Sequence, residues 1–164
     1  MFSVAVSRAA DKLNDGVIHF GGVDKGYYTG EISWFPSVSK YGLWELNVED
    51  ASFGGKKFGF SGRTAIIDTG TTLILLPPAD AMILHQVIED AMTNGETFAV
   101  PCSTTQSMDF IFNGVTVSVP PKDWVGERLG QGTNLCISMI MGRVSCLTPM
   151  PPSLFWLIIT IDNH

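Results

Sequence analysis

The chain has 164 residues, 45% hydrophobic and 16% charged, which is enough apolar material for the core of one domain of ordinary size spanning 1–164. A net charge of −6, with no basic cluster beyond Lys56-Lys57, argues against nucleic acid as a partner. The apolar run from Leu154 to Ile161 is well short of the ~20 residues a membrane-spanning helix needs, so no membrane partner is expected.

The first residues, Met1 to Arg8, lack the basic head and long apolar stretch of a secretion signal, as expected if this sequence begins inside a longer protein. Val17 to Phe20 before Gly21-Gly22, Glu31 to Phe35 before Pro36, and Trp44 to Val48 alternate or run apolar as strands do. Ala51-Ser52-Phe53 and Lys56-Lys57-Phe58 flank Gly54-Gly55 as a hairpin.

Ala65-Ile66-Ile67 then leads into Asp68-Thr69-Gly70-Thr71, and Thr72-Leu73-Ile74-Leu75-Leu76 follows. An apolar strand thus delivers a carboxylate onto a Gly turn beside hydroxyls, an arrangement suited to holding an ionisable group rigidly in a water-poor cleft. Alone, the tripeptide is equally an ordinary turn.

Pro78 opens a helix with Asp80 in its first turn. Met82, Ile83, Val87, Ile88, Ala91 and Met92 form its apolar stripe, and Asn94-Gly95 ends it. His85 in this helix reads as a solvated or rim histidine rather than a ligand or base. Phe110-Ile111-Phe112 and Val115 to Val119 form a second hairpin about Asn113-Gly114. The whole is mainly β.

Cys102, Cys136 and Cys146 are odd in number, so at most one pair can close. A Cys102 to Cys136 bridge would be worth roughly 3 to 4 kcal/mol by loop entropy; three buried thiols are the alternative. No cysteine has CxxC spacing and His19, His85 and His164 are scattered, so no metal site is expected.

The order of features is more specific than any one of them. Gly16-Val17-Ile18-His19-Phe20-Gly21-Gly22-Val23-Asp24 is followed by Tyr28-Thr29-Gly30-Glu31-Ile32-Ser33-Trp34 and Tyr41-Gly42-Leu43-Trp44. The Asp68 turn, the helix and Cys102 come next, then Phe110 to Val115, Val119-Pro120-Pro121 and Cys136. From about Asn14 to Ile137 this series resembles the C-terminal lobe of a pepsin-like aspartic protease, of fungal type.

The resemblance implies a β-rich, closed-barrel-like lobe with one or two short helices, in an enzyme whose two lobes each give one aspartate. It implies acid proteolysis of peptide or protein substrates at bonds flanked by apolar side chains, with no metal or organic cofactor. Asp68 would be one member of the dyad, with Thr69 bonding across to the opposite turn. Gly70 would admit substrate backbone and Thr71 would donate to the Asp68 carboxylate. Ile66 and Thr72 match positions that border the substrate, as do Gly70 and Thr71. Cys102 and Cys136 would form a disulfide, in keeping with a secreted or vacuolar setting.

The pattern also breaks. No second Asp-Thr-Gly or Asp-Ser-Gly occurs, so the isolated monomer is expected to be inactive until a second lobe, or a second copy as in retroviral proteases, brings another aspartate. Ile140-Met141-Gly142 comes early, Arg143 replaces the family's Asp, and 143–164 form an unmatched tail. An apolar face beside the Asp68 turn is then expected to lie exposed unless Leu154 to Ile161 pairs over it. Two other readings compete: a non-catalytic module that binds extended peptide at a sheet edge, and a truncated gene product without an independent role.

Overall fold

A computed structural model describes residues 1–7, 11–143 and 154–157. The chain forms two compact units, one built on Met1–Trp34 and one on Phe35–Ile159.

The smaller unit is an antiparallel pair, β1 (Phe2–Ala5) and β2 (Val17–Phe20). The register sets Phe2 opposite Phe20 and Val4 opposite Ile18, so these four residues share one face. Past it, Asp24 Oδ1 accepts from the Gly26 amide at 2.9 Å and caps a single 3-10 turn, Lys25–Tyr27. The strand expected over Glu31 to Phe35 does not form. Its alternation was real, but a strand exists only where a neighbour completes its ladder, and the next ladder begins beyond Pro36, where Val38 donates to the Glu45 carbonyl.

The larger unit is mainly strands. β3 (Glu45–Val48), β4 (Asp50–Phe53), β5 (Lys56–Lys57), β6 (Arg63–Ile67) and β7 (Ile74–Leu76) precede helix α1 (Pro78–His85). After it come β8 (Met92–Thr93), β9 (Phe98–Pro101), β10 (Met108–Phe112), β11 (Val115–Val119), the one-turn helix α2 (Pro121–Trp124), β12 (Val125–Arg128), β13 (Leu135–Ser138), β14 (Ile140–Gly142) and β15 (Leu154–Leu157). Among the described residues these strands form sheets in the orders β11-β10-β4-β5, β12-β13-β9-β8 and β14-β7-β15-β6-β3.

Both expected hairpins are present. Gly54 and Gly55 have φ of 55° and 81°, and Asn113 and Gly114 have 47° and 78°, the left-handed pairs whose twist suits a two-residue β-turn. Cys102 and Cys136 are joined in a disulfide that ties the end of β9 to β13. Cys146 lies outside the described residues. The core gathers Trp124, Phe110, Phe112, Leu76, Leu84 and Ile140, all at most 1% exposed.

Helix α1 is shorter than its sequence stripe suggests. It stops at His85 with Gln86 as its C-cap, and the chain then turns through Ile88 N–H to His85 O and Ala91 N–H to Ile88 O, with Asp90 at φ 60°. Met92 becomes a strand residue and is 62% exposed, while Ile83, another expected stripe member, is 42% exposed. The buried side is instead Asp80, Ala81, Leu84 and His85. The early Ile140-Met141-Gly142 is β14, parallel to β7 with Ile140 opposite Ile74 and Gly142 opposite Leu76.

Candidate active site

β6 runs from Arg63 to Ile67 and ends at Asp68; after the turn, Ile74 begins β7. β15 lies between them, parallel to β6 with Leu157 opposite Ile67, and meets β7 antiparallel at Trp156 and Leu75. The pairing allowed for Leu154 to Ile161 therefore occurs over Leu154–Leu157; residues 158–161, like 144–153, lie outside the described residues. On its other side β6 pairs with β3, and the Ile67 amide donates to the Trp44 carbonyl at 2.8 Å. The Ile74 amide donates to Met139 O at 2.9 Å, so both strands are held on either side of the Asp68 turn.

Within that turn Asp68 is half-buried while Thr69, Gly70 and Thr72 are exposed. The Gly70 amide donates to Asp68 Oδ1 at 2.8 Å and the Thr71 hydroxyl donates to Oδ2 at 2.5 Å. Among the described residues each carboxylate oxygen thus has one donor and a lone pair left over, which fixes the group yet leaves room for a further hydrogen bond. A Cβ on Gly70 would stand 3.2 Å from Asp68 Oδ1, so glycine lets the turn close on its own acid. Ile66, one residue short of the end of β6, is 4% exposed and lies on the face of the strand opposite Ala65, outside the core cluster that Ala65 joins.

Two further contacts were not legible in the sequence. Arg63, at the start of β6, grips Asp80 of α1 through Nε to Oδ2 at 2.7 Å and Nη2 to Oδ1 at 3.0 Å, with Nη1 on Ser61 O. Asp80 is 2% exposed, and its hydrogen bond holds the Arg63 guanidinium above its ordinary pKa against the cost of burial. Sequence reading assigned Asp80 only to the helix's first turn; nothing local marks a partner that lies 17 residues away.

His85 is the second. It is 2% exposed, not a rim residue, because the short helix directs it inward onto the paired strands β9 and β13, against Phe98 and Ser138. Its ring stacks on Phe98 at 3.9 Å between centroids and 7° between planes. Burial lowers its pKa to about 4, partly opposed by the Ala81 carbonyl. Among the described residues no group of three or more His, Cys, Asp or Glu side chains converges as a metal site would require, and no helix is long and apolar enough to cross a membrane.

A carboxylate held by its own Gly-Thr turn at the end of a strand accords with the sequence comparisons. Residues 1–154 match the family described as eukaryotic aspartyl protease. The chain belongs to the aspartyl protease family. It is 39% identical over 144 residues to a probable aspartic-type endopeptidase CTSD of Arthroderma otae, covering 87% of this chain and 38% of that protein. It is 37% identical to the aspartic-type endopeptidase ctsD of Aspergillus fumigatus, over 84% of this chain and 29% of the relative. Gastricsin of Suncus murinus is 36% identical over 76% of the chain and 33% of its own length. This aspartyl protease chain therefore spans between 29% and 38% of the length of these curated relatives.

Proposed function

We propose that this chain supplies Asp68 to a two-aspartate endopeptidase site, the second carboxyl coming from another lobe or from a second copy of the chain. In this reading 1–164 is one C-terminal lobe with a divergent tail over 143–164. The observation that carries the reading is the Asp68 carboxylate itself, bonded on Oδ1 by the Gly70 amide and on Oδ2 by the Thr71 hydroxyl at an otherwise exposed turn.

Two carboxyls brought close together cannot both ionise, so they share one proton. The ionised one takes a proton from water as the water oxygen attacks the peptide carbonyl carbon. The protonated one gives its proton to the carbonyl oxygen, and the resulting tetrahedral species collapses to an acid and an amine once the nitrogen is protonated. Thr71 and Gly70 hold Asp68 in place, Thr69 reaches the opposing turn, and Ile66, Gly70, Thr71 and Thr72 border the peptide. The substrate class is peptide bonds flanked by apolar side chains, and the disulfide between Cys102 and Cys136 favours a secreted or vacuolar setting.

The test is cleavage of an unfolded protein by the purified chain at about pH 3 to 6, alone and with a lobe carrying its own Asp-Thr-Gly turn. Asp68→Asn is expected to lower kcat/KM by about 10³-fold or more, with the fold intact. Cleavage unchanged in Asp68→Asn would refute the assignment. Binding of an extended peptide without cleavage under every pairing would favour the peptide-binding module instead.

A further inference from the structure

His85 sits in a closed relay of hydrogen bonds. Its Nδ1 lies 2.7 Å from Ala81 O and its Nε2 lies 2.9 Å from Ser138 Oγ. A carbonyl oxygen only accepts, so Nδ1 carries the proton; in the neutral ring Nε2 must then accept, and the Ser138 hydroxyl donates to it. Ser138 Oγ in turn accepts from the Ile140 amide at 3.1 Å. The relay thus joins α1 to the corner between β13 and β14, and both of its side chains are at most 2% exposed.

That corner carries the exit strand of the Asp68 turn. Ile140 opens β14, which runs parallel to β7, Ile74 N–H bonds Met139 O, and Arg143 N–H bonds Leu76 O. On protonation Nε2 becomes a donor, and the Ser138 hydroxyl hydrogen must leave its acceptor in a site closed to water. Among the described residues no carboxylate pairs with the charged ring, which lies flat on Phe98.

The charges on neighbouring elements are engaged or point outward. On α1, Asp80 is bound to Arg63; past the helix, Glu89 and Asp90 are exposed. β9 has no titratable side chain, and Glu96 ahead of it pairs with Arg143 at 3.1 Å on the surface. β13 offers only Cys136, which is in the disulfide, and on β12 Glu127 and Arg128 are exposed.

We propose that His85 is an acid-sensitive latch: neutral, it fastens α1 to the β13–β14 corner through Ser138, and protonated, it releases that corner and loosens the strand leaving the Asp68 turn. The latch stands whether or not the chain cuts peptides. Its consequence for proteolysis, an acid limit on activity set within this lobe, rests on the reading of Asp68 given above.

The experiment follows protonation and local opening in the full chain, not cleavage, so its failure and that of the protease reading are distinguishable. Nitrogen-15 shifts of the His85 ring, assigned through bonds in the native chain, should show the Nδ1–H tautomer at pH 7 and a titration midpoint near 4. If release exposes the ring, the protection factor of the Ile140 amide should fall about 20-fold between pH 7 and pH 5, the ratio expected when the open state binds the proton at 6.5 and the closed state at about 4. In His85→Gln that fall should shrink to within about threefold. An Nε2–H tautomer, a midpoint at or above 6, or Ile140 protection independent of pH in the native chain would each overturn the latch.

Discussion

Replacing Arg63 with Met should cost more than any surface charge in this chain. Asp80 is 2% exposed and takes both of its anchoring bonds from Arg63, at 2.7 and 3.0 Å. Removing the cation leaves a buried carboxylate without its counter-charge, a loss of about 3–5 kcal/mol for a fully enclosed pair. The Arg63 side chain is 30% exposed, so water reaches one edge of the pair and the expected cost falls to about 2–3 kcal/mol. For a chain of this size that lowers Tm by roughly 5–10 °C. Urea unfolding at pH 7 with the disulfide intact measures it, with the midpoint moving at constant slope.

Asp80→Leu alone strands a half-exposed guanidinium that water can reach and should cost less than Arg63→Met. The double variant Arg63→Met, Asp80→Leu removes both charges and should be more stable than the sum of the single losses predicts, with coupling of about 1–3 kcal/mol. An Arg63→Met variant within about 0.5 kcal/mol of the native chain, or strict additivity in the cycle, would refute the argument that this pair ties α1 to β6.

Three other outcomes follow from the same structure. Replacing both Cys102 and Cys136 with Ser opens a loop with a sequence separation of 34 and should cost about 3–4 kcal/mol in urea unfolding. His85 makes stability pH-dependent with a definite sign: its folded pKa is lowered, so the unfolded chain takes up the proton first. Its contribution is complete above pH 6.5, falls as pH drops towards about 4 and then levels off, a total of about 3 kcal/mol that His85→Gln should remove from the pH profile. Gly142→Ala should cost about 1–3 kcal/mol by thermal unfolding, because its Cβ would stand 3.2 Å from Pro78 Cα at the start of α1 and backbone cannot easily give way.

What the sequence made legible was local. Asn113-Gly114 and Gly54-Gly55 announce their hairpins because few other residues take two successive positive φ values, and flanking strands of matching alternation leave one register. Asp68 and its two donors lie within four residues, so the geometry of the turn is encoded where it is read. The strand expected at Glu31 to Phe35 fails for the opposite reason: its pattern is suitable, but it has no ladder partner among the described residues. Helix α1 is shorter than its stripe because an apolar stripe marks burial, not hydrogen bonding, and Ile88 is buried after the helix has ended. His85, expected at the rim, is buried because of a partner, Ser138, that lies 53 residues away and leaves no local mark.

The placement of α1 follows from those distant contacts. At its start Asp80 is tied to Arg63 on the strand that enters the Asp68 turn, and at its end His85 is tied through Ser138 to the corner that supports the strand leaving it. Gly142 lets β14 come close enough to the helix for both ties to hold at once. The two ties differ in chemistry. The Arg63 guanidinium stays charged at every pH the protein meets, held higher still by Asp80, whereas protonation of His85 reverses its bond to Ser138 and puts a charge on a buried ring. Protonation of His85 therefore acts at the end of the helix, on the corner that supports the exit strand. A carboxylate that depends on its turn for orientation is then governed by a histidine that never touches it.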